Sequence, residues 1–178
     1  PMGVVPSTGY ALDALTFSPA FVQDGVILTH AGSTLCRSAD RGETWTEVLE
    51  LNPSPVQAAF VPDYARDGGI LLLQGRTLYW SADRGLHWEA LPAAPWDEAD
   101  EVHLMPSPTY ARDNTVLAWT LSGQVYQSLD GGQSWRDISS GLPPGTIRQV
   151  VFSPDYAADG LIYLVPHGPR LYKRVHES

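Results

Sequence analysis

Eight residues, Ser38 to Trp45 (SADRGETW), return as Ser81 to Trp88 (SADRGLHW) and as Ser128 to Trp135 (SLDGGQSW), so the chain is built from repeats. A second motif runs out of phase with the first. It spans Phe17 to Leu28 (FSPAFVQDGVIL), Phe60 to Leu71 (FVPDYARDGGIL), Pro106 to Leu117 (PSPTYARDNTVL) and Phe152 to Tyr163 (FSPDYAADGLIY). Two independent motifs share one period of roughly 43 to 47 residues, the length of a four-stranded blade of a β-propeller.

Each repeat reads as four short strands. The first ends at a proline (Pro19, Pro62, Pro108, Pro154), which has no N–H to give a ladder. Asp-Gly or Asp-Asn (Asp24-Gly25, Asp67-Gly68, Asp113-Asn114, Asp159-Gly160) then predicts a turn. The second strands, such as Ile70-Leu71-Leu72-Leu73, are continuous apolar runs, so both of their faces must be covered, as they are when blades stack radially. Gly32, Gly75, Gly123 and Gly168 lead into the third strand, which ends on the eight-residue box.

The box has a mechanical reading. A Ser and an Asp one residue apart (Ser38/Asp40, Ser81/Asp83, Ser128/Asp130) can fold back on the N–H groups of a turn. Gly42, Gly85 and Gly132 supply a positive φ, and Trp45, Trp88 and Trp135 lay an apolar face on the sheet. These residues are expected to lock hairpins rather than to catalyse.

The boxes resemble the Asp-box, or bacterial neuraminidase repeat. It occurs in sialidases, sortilin-type receptors, xyloglucan-degrading glycoside hydrolases and propeller-type photosystem II assembly factors. The resemblance implies an all-β propeller of about four Asp-box blades, standing alone as four or forming part of a larger or dimeric ring. It implies little about activity, because the box is a folding device shared by unrelated functions. Sialidase likeness would require an arginine triad of non-repeated residues and a Phe/Tyr-Arg-Ile-Pro motif. That motif is not in the sequence, while Arg41 and Arg84 lie inside boxes and Arg66 and Arg112 at one place in the other motif. Sialidase activity is not expected.

The repeats predict one domain over residues 1–178, with repeats at about 12–54, 55–100, 101–146 and 147–178 and residues 1–5 as a closing fourth strand for the last blade. The ring is expected to close alone, with a second copy, or within a longer propeller. A net charge of −9 disfavours nucleic acid and anionic membrane surfaces as partners. No run is long and apolar enough for a transmembrane helix, so no membrane insertion is expected. Cys36 is the one cysteine, so no internal disulfide can form; it stands where other repeats carry tyrosine, as a packed strand residue.

Outside the repeats, the link Trp96-Asp97-Glu98 and its acidic neighbours stand out as possible ligand-binding residues, with Trp96 as a stacking surface. Neither histidines nor acids show metal-ligand spacing, so no metal and no cofactor is expected. No catalytic set is visible. The sequence points to a non-enzymatic binding or scaffold module that presents rim loops to a protein or glycan, in an extracellular or cell-envelope setting of a bacterium. The alternative is a secreted carbohydrate-active enzyme of glycoside-hydrolase type, or a part of one.

Overall fold

A computed structural model describes residues 12–52, 56–97, 100–142 and 145–175. The chain divides into two compact units, residues 1–91 and 92–178. The boundary falls ahead of the acidic link, which the repeat count assigns to the second repeat.

The first unit holds two antiparallel sheets. One has the order β1 (Leu12–Phe17), β2 (Ile27–Ala31), β3 (Thr34–Ser38), β4 (Thr46–Glu50), with helical turn α1 (Phe21–Asp24) between its first two strands. The other repeats it as β5 (Val56–Phe60), α2 (Tyr64–Asp67), β6 (Ile70–Gln74), β7 (Thr77–Ser81) and β8 (Glu89–Ala90). The second unit carries a third four-stranded sheet, β9 (Val102–Pro106), β10 (Val116–Thr120), β11 (Val125–Ser128) and β12 (Arg136–Asp137), with α3 (Tyr110–Asp113) after β9. Its last sheet has three strands among the described residues: β13 (Ile147–Phe152), β14 (Leu161–Pro166) and β15 (Tyr172–Val175), with α4 (Tyr156–Asp159) after β13. Residues 1–5, the expected closing strand, lie outside the described residues.

The sheets are all-β propeller blades, and the burial of their strands follows from stacking. β2, β6 and β10 are buried at every position, on both faces, as their continuous apolar runs require. In the first unit Leu35 and Leu51 of one blade pack with Leu72 of the next, flanked by Val56, Tyr79 and Trp88. In the second unit Leu117, Trp119 and Val125 of the third blade pack against Val150, Tyr156 and Leu164 of the fourth. Cys36 is buried on β3.

Where the Asp-Gly signal predicts only a turn, the chain makes one turn of helix first. Gly25, Gly68, Asn114 and Gly160 each close it in the left-handed region, with φ of 62°, 74°, 48° and 60°. The aspartate before each of them caps the following strand: Asp24 Oδ1 accepts from the Ser18 hydroxyl at 2.6 Å and from the Val26 N–H at 3.0 Å. Asp113 and Asp159 do the same with Ser107 and Thr115 and with Ser153 and Leu161. Among the described residues no group of three or more His, Cys, Asp and Glu is placed to hold a metal ion.

Candidate functional site: an arginine cleft beside the second Asp-box

The three boxes share one geometry. Ser81 Oγ accepts the Gly85 N–H at 2.9 Å and donates to Asp83 Oδ1 at 2.9 Å. Asp83 Oδ1 also accepts the N–H groups of Leu86 and His87 at 3.0 and 2.9 Å. Ser38 and Asp40 repeat this with Gly42 and Thr44, and Ser128 and Asp130 with Gly132 and Ser134. Trp45 and Trp88 donate Nε1–H to the carbonyls of Gly42 and Gly85, both at 3.2 Å. The residue before each box glycine is also left-handed, including the non-glycine Arg41 and Arg84 at φ 64° and 61°. Their N–H groups reach back to Gly25 O and Gly68 O, tying each box to the helical turn of its own blade.

These bonds depress the box carboxylates. The Thr44 hydroxyl and N–H hold Asp40 at about 2. Partial burial would raise Asp83, but the N–H and ring of His87 and the Ser81 hydroxyl outweigh it and bring it to about 2 as well. A carboxyl whose pKa lies lower in the folded than in the unfolded chain, where it is about 3.9, stabilises fully above that value and loses the contribution as pH falls through its folded pKa. The melting temperature should therefore drop between about pH 4 and pH 2. Scanning calorimetry of Asp83→Asn over that range should show a smaller acid-side drop than the wild-type chain; an equal drop would mean that the box carboxylate is not the titrating group.

The residues expected to meet a ligand lie elsewhere. Trp96 is 1% exposed, packed against Tyr126 at 5.7 Å and edge-on to Trp135 at 5.1 Å between ring centroids. Neither face of its indole is open in this structure. Asp97 is exposed, Asp100 accepts from the Ser122 hydroxyl at 3.1 Å, and Glu98 lies outside the described residues.

A cleft of about 290 Å³ opens in the first unit, lined by Arg37, Arg66, Asp67, Asp83, Arg84 and Leu86. Each arginine comes from a different segment. Arg37 stands on β3, half-buried, where the other repeats carry Trp80, Gln127 and Lys173. Its Nε donates to the Arg84 carbonyl at 2.6 Å, which orients the guanidinium plane, and among the described residues no hydrogen bond or ion pair engages its terminal nitrogens. Arg84 spends one terminal nitrogen on the Ala65 carbonyl at 3.1 Å. Arg66 lies 3.6 and 3.9 Å from Asp63 and Asp67 with 71% of its side chain exposed, so these pairs are weak and exchangeable. Asp83 has its oxygens taken by the turn donors and the His87 ring. The arrangement offers forked donors to an anion. Sequence reading passes over it because Arg66 and Arg84 sit in repeated motifs; the signal that could have marked it is Arg37, a charge at a strand position where no other repeat has an arginine.

Box hairpins, helical turns and stacked antiparallel sheets define a β-propeller of the Asp-box type. The family model described as Sortilin, neurotensin receptor 3 matches residues 33–142, a stretch that holds all three boxes. The chain belongs to the Sortilin-Vps10 family. None of the curated proteins matches it. Among solved structures it is similar to YCF48 bound to D1 peptide, with 19% identity and a TM-score of 0.60 over 97% of this chain and 54% of that one. An ancestral GH74 enzyme gives 21% and 0.65 over 97% and 23%, and the nidogen/laminin complex 13% and 0.58 over 88% and 57%. The chain thus spans about half of YCF48 and about a quarter of the GH74 enzyme. At these identities the likenesses show the fold. Among the described residues no helix is long and apolar enough to cross a membrane.

Proposed function

We propose that this chain is a non-enzymatic binding module, working in an extracellular or cell-envelope setting, which takes a carboxylate-bearing segment of a protein partner in the cleft of Arg37, Arg66 and Arg84. The observation that carries the reading is the oriented Arg37 guanidinium beside two further arginines, its terminal nitrogens engaged by no hydrogen bond or ion pair among the described residues. An arginine fork matches a carboxylate in two parallel hydrogen bonds, which gives orientation as well as attraction. The net charge of −9 repels polyanions at long range, so a lone carboxylate in a mixed sequence suits the cleft better than an acidic run. A protein partner is in keeping with YCF48, solved with a peptide, and with nidogen, solved in a complex with laminin.

An array of mixed-sequence 15-residue peptides, probed with the wild-type chain, should retain it on members that carry a single Asp or Glu and lose it when that residue becomes Asn or Gln. Arg37→Gln should abolish this preference. Wild-type hydrolysis of a glucan that Asp97→Asn removes would contradict the proposal and support the carbohydrate-active enzyme instead.

A further inference from the structure

The arginine cleft also holds a carboxylate, Asp67, and that carboxylate departs from its repeat. In α1, α3 and α4 the last aspartate of the helical turn accepts a serine hydroxyl as well as the N–H that leads into the next strand. Ser18 donates to Asp24 at 2.6 Å, Ser107 to Asp113 at 2.7 Å and Ser153 to Asp159 at 2.6 Å. In the second blade Val61 stands at the serine's place. Asp67 is left with the strand bond, its Oδ1 accepting the Gly69 N–H at 3.1 Å, and among the described residues its Oδ2 accepts no hydrogen bond. Arg66 lies 3.9 Å from that Oδ2 but nearer, at 3.6 Å, to Asp63. With 71% of its side chain exposed, Arg66 can turn to Asp63 at little cost.

Two positions that break the repeat thus act on one cleft: Arg37 adds forked donors, and Val61 leaves an acceptor unspent. Holding the blade requires neither change, because β7 and β11 form the same hairpins with Trp80 and Gln127 at the place of Arg37, and α1, α3 and α4 make the same turn with the serine in place.

Resting on the carboxylate-binding role proposed for Arg37, we infer that Asp67 sets the specificity of the cleft by taking an ammonium, so that the ligand is a peptide segment carrying an acid and a lysine two residues apart. In an extended segment such residues lie on the same face, and both side chains enter the cleft together, the carboxylate on Arg37 and the ammonium on Asp67. The net charge of −9, which repels an acidic run, does not repel a segment whose acid is balanced by a lysine.

Fluorescence anisotropy of capped, labelled 15-residue peptides, titrated with the whole chain, tests this. Each peptide carries one Glu, with lysine two residues away, with norleucine there instead, or with the lysine moved to the far end, which keeps the net charge. Wild type should bind the first about two- to fivefold tighter than the other two, the range of a solvent-exposed ion pair. Asp67→Asn keeps an amide oxygen for the Gly69 N–H while removing the charge, so it should bind all three alike, and no more weakly than wild type binds the norleucine peptide. Arg37→Gln should lose all three. Equal wild-type affinity for the lysine and norleucine peptides, a far-end lysine that works as well as the near one, or a preference that survives Asp67→Asn would each overturn the role of Asp67 while leaving Arg37 as a carboxylate site. A wild-type chain that binds none of the peptides, or an Arg37→Gln chain that binds them as well as wild type, would overturn both.

Discussion

Replacing Trp96 by alanine is expected to cost about 3 to 5 kcal/mol, the range for deleting a large buried aromatic. The ring is 1% exposed and fills the space between Tyr126 and Trp135, so its removal leaves a cavity that two rigid aromatics cannot collapse into. The midpoint of denaturant unfolding should fall for the second unit, which holds the link and its packing partners. Trp88→Ala should cost less, because Trp88 is only half-buried at the edge of its cluster. An unchanged midpoint in Trp96→Ala would mean that the link can leave the sheet without loss.

The next largest effect is expected at a box serine. Ser81 is 1% exposed and its Oγ serves the Gly85 N–H, the Asp83 N–H and the Asp83 carboxylate at once. Alanine there strands a buried backbone donor and frees the aspartate that fixes the turn, at a cost of about 1 to 3 kcal/mol. Thermal melts of Ser81→Ala and Ser128→Ala should fall by similar amounts, since the two boxes make the same bonds. A loss confined to one box would show that the boxes are not equivalent locks.

The blade count, the strand order and the box hairpins were legible in the sequence because each is written several times over in one register. The one-turn helices were not, because the four residues from Tyr64 to Asp67 are too few to display a 3.6-residue period. The left-handed backbone at Arg41 and Arg84 was hidden for a different reason: the residue type gives no sign of it, and only Gly131 in the third box hints that the position tolerates glycine. Trp96 reads as an exposed link residue because it lies between motifs, yet the third blade needs a cover for Tyr126 and Trp135 and the link supplies it. The arginine cleft gathers residues from β3, α2 and a box turn, and no local pattern can announce such a convergence.

Repeated residues hold the blades, and the proposed ligand contact falls on the non-repeated Arg37. The most direct measurement is melting temperature and peptide retention determined together for Ser81→Ala and Arg37→Gln. Arg37→Gln should melt near wild type, losing one exposed hydrogen bond to Arg84, and should no longer retain carboxylate-bearing peptides; Ser81→Ala should melt lower and, below its transition, retain them. If Arg37→Gln retained the peptides as well as wild type does, the cleft would not be the binding site and the central claim would fall.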